Sequence, residues 1–136
     1  MLLTIIFWPW RFALDLPMAI RCLGVFCLLG GVGSTLAAAR TLNRSFRSSL
    51  KPMADAPLVQ GGLYGFVRHP GYSGIIIAAA GWSLVLGDLA RLVLTIVLVL
   101  FFDAKSRVEE EWLVRTYQEY GRYRKSVPKK FFPWVY

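Results

Sequence analysis

GYSGIIIAAAGWSLVLGDLARLVLTIVLVLFFDA, residues 71–104, is the stretch whose reading decides the fold. As a single helix it would run about 50 Å at 1.5 Å per residue, against a hydrocarbon core near 30 Å. It would also hold Asp88 and Arg91 near mid-membrane, at roughly 2.5–3.5 kcal/mol each. A turn at Gly87-Asp88 removes both costs. It leaves two helices of about sixteen residues, short but workable with tilt or local thinning. The chain then returns to the side it started from. The block is read as a helical hairpin.

Composition supports a membrane reading. Of the 136 residues 56% are apolar and 18% charged, and the apolar ones fall in long blocks. The net charge of +8 comes from placement as much as number: thirteen of the sixteen Lys and Arg lie in residues 40–70 and 105–136, each bordering an apolar block. That is the positive-inside pattern, with an added attraction to anionic lipid, and it argues against nucleic acid as a partner. A hairpin puts both basic segments on one face, which is taken as cytoplasmic. Cys22 and Cys27 lie on different faces of a helix, so no metal or redox motif is expected from them.

Outward from the hairpin, Pro17 to Ala39 forms a first span, closed on its inner side by Arg40 and Arg44. Arg21 sits one turn inside the outer end, where it can snorkel. Gly30, Ser34 and Ala38 recur every four residues and predict a small-residue packing face. Residues 1–16 start apolar but meet Pro9 early. They read as an interfacial segment or a shortened helix, with Phe7, Trp8 and Trp10 at headgroup level. Residues 40–70 form a cytosolic loop broken by Pro52, Pro57 and Gly61-Gly62, and Pro70 marks the next helix start. After the hairpin, 71–105, the last helix continues past the glutamates towards Tyr120. In the tail, 106–136, Tyr117, Tyr120 and Tyr123 have helical spacing, which predicts one amphipathic face. The expected architecture is a single all-α, polytopic membrane domain. It has about three transmembrane helices, an interfacial N-terminus and a cytosolic helical tail.

The hairpin has a consequence for chemistry. Arg68, His69 and Tyr72 stand where it begins, and Glu109-Glu110-Glu111 stand where it ends. A fold that joins these ends makes one polar pocket at the membrane boundary. Such a pocket suits a zwitterionic, cationic ligand, with arginine for a carboxylate and carboxylates for an ammonium or hydroxyls. Backbone N–H groups at the Pro70 helix start favour an anionic group. The residues alone do not name the ligand.

The run Leu58-Val59-Gln60-Gly61-Gly62-Leu63-Tyr64, then Val67-Arg68-His69-Pro70-Gly71-Tyr72-Ser73-Gly74, closely resembles the isoprenylcysteine carboxyl methyltransferase and phospholipid methyltransferase superfamily. Glu109-Glu110, Leu113, Tyr117, Tyr120, Tyr123, Val127-Pro128 and Pro133 match its C-terminal pattern in order and spacing, and Thr41-Leu42-Asn43-Arg44-Ser45-Phe46 its segment before the loop. The resemblance covers roughly residues 17–134. It implies S-adenosylmethionine as cofactor, bound through Arg68, His69, Pro70, Tyr72, Gly74, Glu109 and Glu110, with Glu111 outside the pair. It implies roles too: Arg68 for a carboxylate, the two glutamates for an ammonium or hydroxyls, His69 and Tyr72 for shaping the loop. His69, Arg68 and Glu110 are the candidates for catalysis, and no metal is implied. The acceptor is expected to be small or lipophilic: an isoprenylcysteine-like carboxylate, a lipid amine or a thiol.

The family's usual basic residue beside Tyr64 is Gly65 here, and relatives often carry further N-terminal spans. Where such spans are missing, either a homo-oligomer supplies the wall or the site is more open to lipid. Two alternatives follow. One is a non-catalytic membrane scaffold. The other is a membrane reductase using a nicotinamide dinucleotide, whose similar loop has Asn and Glu where this chain has Gly71 and Ile75.

Overall fold

The computed structural model describes residues 13–42 and 58–132, and within them every regular element is helical. Helix α1 is Met18–Thr41, α2 is Pro70–Leu86, α3 is Leu89–Thr116 and α4 is Tyr120–Ser126, with a 3-10 turn at Gly62–Gly65. The expectations for Phe7, Trp8 and Trp10, for Asn43 to Phe46, for Pro52 and Pro57, and for Pro133 fall outside the described residues.

The turn forms where the charge argument put it. Gly87 takes a left-handed φ of 63° that ends α2, and its N–H donates to Ser83 O at 2.9 Å. Asp88 then caps α3: its carboxylate accepts from Ala90 N at 2.9 Å and pairs with Arg91. Two groups that would be costly in mid-membrane thus neutralise each other at a helix start, where a capping Asp is favoured. Leu14 N donates to Gly87 O at 2.5 Å, tying the chain ahead of α1 to this turn. Arg21 also stays at that end, its Nε donating to Leu16 O at 3.3 Å.

α2 is the central helix, packed far more extensively on α1 than on α3. The contact is between backbones. A Cβ added at Gly31 would lie 2.5 Å from Gly74 O, and one added at Gly24 would lie 2.8 Å from Gly81 O. This corrects the predicted packing face. The buried positions of α1 are Gly24, Gly31 and Ala38, whereas Gly30 is exposed with nothing near its Cβ position. A seven-residue spacing holds its angular position over two turns, while a four-residue spacing drifts round the helix. Small residues were the right signal and Ala38 is on the buried face, but the stripe reaches it through Gly24 and Gly31 rather than through Gly30.

α3 runs without a break from the turn through the three glutamates to Thr116, carrying the chain from apolar into polar sequence. The tail differs from the single helical face predicted. Tyr117 is extended (φ −115°, ψ 112°), so α4 is a separate short helix. The tyrosines still converge: Tyr120 and Tyr123 are buried with Val127, and Tyr117, Leu113 and Leu58 pack against them. Of the described helices α1 is long and apolar enough to cross a membrane, with mean hydropathy 1.9 over its most apolar 18 residues, and α2 is apolar but only 17 residues long.

Candidate functional site

Pro70 is the first residue of α2 and His69 its cap, so Arg68-His69 sit immediately before a helix N-terminus. Glu109 and Glu110 lie on α3 after the apolar run. The hairpin brings the two together. Arg68 Nε donates to Glu110 Oε1 at 2.8 Å, and His69 Nε2 lies 3.0 Å from the same oxygen. Both members of the arginine pair keep only 6% of their side-chain surface exposed. Burial alone would raise the Glu110 carboxyl, but hydrogen bonds from His69 and Arg68 hold it down at about 2. Glu110 is therefore an anion at neutral pH, with its charge compensated from two sides.

Glu109 has a different environment. Its Oε2 accepts from Tyr72 OH at 2.7 Å and lies 3.9 Å from His69 Nδ1, while its side chain stays 41% exposed. The rings of His69 and Tyr72 stack at 5.4 Å with 7° between their planes, and Tyr72 stacks in turn on Phe102 at 4.5 Å. Lys105 Nζ lies 5.2 Å from the centre of the Tyr72 ring. A partly open carboxylate, aromatic faces and one ammonium group form this side of the site.

The tail is laced across the loop. Arg68 N and His69 N donate to Lys129 O and Lys130 O, each at 3.0 Å. Arg68 Nη1 donates to Val127 O at 2.9 Å and to Pro128 O at 2.5 Å, and Ser73 Oγ donates to Phe131 O at 2.5 Å. Lys130 Nζ reaches Asp103 at 2.8 Å, and Phe131 enters the core beside Ile76 and Phe102. Below this strap Tyr123 OH donates to Tyr64 O at 2.7 Å, and burial pushes the Tyr123 phenol up to about 12. Among the described residues no buried side-chain nitrogen or oxygen lacks a partner. The buried polar side chains of the described residues thus satisfy one another, which is the condition for such a network to fix one geometry.

Of the residues singled out in the sequence, Arg68, His69, Tyr72, Glu109 and Glu110 come together. Pro70 is buried beside them as the helix start. Gly74 is elsewhere: a Cβ there would run into Gly31 O and Thr35 of α1, so it serves close helix packing. Glu111 is exposed and makes none of the contacts that join Glu109 and Glu110 to the loop. The donors of Arg68 are held by Glu110 and by tail carbonyls rather than presented to a ligand carboxylate. Ser73, Asp103 and Arg124 had been given no role. Ser73 and Asp103 hold the strap, and Arg124 Nε lies 3.7 Å from Glu110 Oε2. Only Ser73 carried a signal, as a hydroxyl on the first turn of α2. Beside the Arg68–Glu110 pair opens a cleft of about 800 Å3, walled by Arg107, Glu111 and Arg115 of α3 and by Arg124 and Lys129 of the tail.

Comparison with known proteins gives the chain a family. Residues 19–120 match the family model of phospholipid methyltransferases, and the chain belongs to that family, in the superfamily shared with the isoprenylcysteine methyltransferases. The protein-S-isoprenylcysteine O-methyltransferase of Schizosaccharomyces pombe is 35% identical over 108 residues, covering 78% of this chain and 46% of that protein. Its namesake in Saccharomyces cerevisiae is 33% identical over 109 residues, covering 77% and 46%. The delta(14)-sterol reductase of Mus musculus is 35% identical over 144 residues, covering 90% of this chain but 32% of its own length. The chain thus spans about half or less of the length of these relatives. No solved structure matches the chain.

Proposed function

We propose that the chain is an integral membrane methyltransferase that uses S-adenosylmethionine and acts on a small or lipophilic acceptor. The observation that carries this reading is that the family match, residues 19–120, encloses both Arg68–Tyr72 and Glu109–Glu110, the two halves that the hairpin joins. In this reading α1, α2 and the apolar part of α3 cross the membrane, and the site and tail face the cytoplasm. The chain works as one domain, with residues 106–136 as the cofactor-covering part.

The residues present fit such a cofactor on the Glu109 side. S-adenosylmethionine carries two cationic groups and one carboxylate, and when bound it supplies a methyl group already activated on a sulfonium. Glu109 and the stacked His69 and Tyr72 rings offer an anion and aromatic faces for cations, and Lys105 offers a counter-charge for a carboxylate. Glu110 does not face a ligand in this scheme. It is the anchor that sets Arg68 and His69, and through Arg68 the tail strap, which excludes water. With Nε2–H donated to Glu110, His69 keeps a lone pair on Nδ1 that can take a proton from an amine acceptor; a carboxylate or thiolate would need none. Alignment of the two reactants then does most of the remaining catalytic work.

The names of the yeast relatives favour an acceptor of the lipidated-cysteine type, at its carboxylate. The test is calorimetric titration of S-adenosylmethionine into protein in lipid, followed by transfer of labelled methyl into a membrane extract and the mass of the product. Absence of cofactor binding would sink the reading. The match to the mouse sterol reductase supports a second reading, a nicotinamide-dependent reductase. Tighter binding of the dinucleotide than of S-adenosylmethionine would favour it.

A further inference from the structure

The cleft of about 800 Å3 beside the Arg68–Glu110 pair takes no part in the donor side of the site, and its charge sets it apart. Six of its lining side chains are cationic and only Glu110 and Glu111 are anionic, an excess of four positive charges. Counting Asp103, which pairs with Arg107 and Lys130, leaves an excess of three. Arg115 on α3 and Lys129 on the tail form no ion pair among the described residues. Val114 and Pro128 add apolar surface to the lining. Height along α3 then separates the cleft from the bilayer. The apolar run of this helix ends at Phe102. Arg107 stands about 8 Å beyond it along the axis and Arg115 about 20 Å. The headgroup layer on each side of a bilayer is roughly 5–8 Å deep. In the membrane reading most of the cleft therefore opens above the lipid phosphates, and a helix tilt of about 40° does not change that.

We infer that this cleft docks an extended, acidic stretch of polypeptide. The wall from Arg107 to Arg115 is about 12 Å long, which about four residues of extended chain cover. Alternate side chains leave an extended chain on opposite sides, so successive acidic residues address the α3 wall and the tail wall in turn. Three or four carboxylates answer the excess charge, and the guanidinium groups of Arg115 and Arg124 match carboxylates in pairs of hydrogen bonds. The methylene groups and backbone of such a stretch suit the apolar surface of Val114 and Pro128. A second copy of this chain, with a net charge of +8, is a poor occupant. The functional meaning rests on the methyltransferase reading with a lipidated-cysteine acceptor. The Glu109 side and the cleft flank α3, a helix about 10–12 Å across, so the acidic stretch would begin about four residues or more ahead of the cysteine. The cleft would thus select among acceptors by the polypeptide that precedes the modified residue, and a basic stretch there would be rejected.

The test needs no methyl transfer. A capped eight-residue peptide with four central glutamates is titrated calorimetrically into the full chain in neutral detergent at about 0.1 M salt, beside its Gln and Lys counterparts. The Glu peptide should bind, and the Gln peptide should bind roughly tenfold or more weakly. An Arg115→Glu/Lys129→Glu variant should lose roughly tenfold or more in affinity for the Glu peptide and take the Lys peptide better than wild type does. That exchange of preference needs a folded cleft, so it separates a lost site from a lost fold. An Arg122→Glu/Lys125→Glu variant makes the same change in net charge at exposed positions of α4 outside the cleft, and should lose under about threefold. Equal losses in the two variants would mean diffuse surface attraction and overturn the inference. So would equal binding of the Glu and Gln peptides. Tighter binding of dioctanoyl phosphatidic acid, or of inorganic pyrophosphate, in competition with the Glu peptide would assign the cleft to a lipid headgroup or a small polyanion instead. Peptide binding by a protein that does not bind S-adenosylmethionine would keep the docking surface and remove the methyltransferase reading. Cofactor binding without peptide binding would remove only the docking surface.

Discussion

Each end of α2 carries an arginine paired with a carboxylate, and the two pairs have different jobs. Asp88–Arg91 is local, three residues apart on one helix start, and it decides where the chain turns. Arg68–Glu110 spans 42 residues, is almost wholly buried, and ties the loop, α3 and the tail together. The first pair can form as soon as α3 begins. The second exists only once the hairpin has closed. The difference teaches that the turn is a local property of the sequence, whereas the site is a property of the fold.

Breaking the long-range pair should have the largest effect. Glu110→Ala leaves Arg68 and His69 buried without their anion and should cost about 3–5 kcal/mol. Denaturation in detergent would show it, with loss of cofactor binding. The same pair can be loosened by acid. Because the Glu110 carboxyl is depressed on folding, its contribution is complete above the ordinary value near 4.5 and disappears as pH falls through about 2. A stability–pH profile should therefore drop across that window, and drop less in Glu110→Gln. Packing on the other side of α2 comes next. A Cβ at Gly81 would lie 2.5 Å from Gly24 O, so Gly81→Val should cost about 1–3 kcal/mol by forcing α1 away. The local pair should matter least: Asp88→Ala removes a cap and should cost about 0.5–2 kcal/mol, leaving cofactor affinity unchanged. A loss of affinity there as large as in Glu110→Ala would erase the contrast between the two ends.

The sequence carried what is set by local costs. Asp88 and Arg91 inside an apolar block forced the turn, and Pro70 after His69 marked the helix start. Residue order then put Glu109-Glu110 opposite Arg68-His69. The packing stripe was misread because small residues abound in α1, and only contact with Gly74 and Gly81 distinguishes Gly31 from Gly30. The break at Tyr117 was hidden because the tyrosine spacing fits one helix, while burial of Tyr120 and Tyr123 against the loop decides otherwise. The two glutamates looked alike as a pair. Their different fates, one locked and one partly open, follow from a single helical step of about 100° on α3, which turns Glu110 towards Arg68 and Glu109 towards Tyr72.

The hairpin builds one site, with Glu110 as its anchor and, in the proposed function, Glu109 as its face to the ligand. Calorimetric titration of S-adenosylmethionine into lipid-embedded wild type and Glu109→Gln tests it most directly. Wild type should bind, and Glu109→Gln should lose roughly tenfold or more in affinity with thermal stability nearly unchanged. Unaltered affinity in Glu109→Gln, or no binding to wild type, would contradict it.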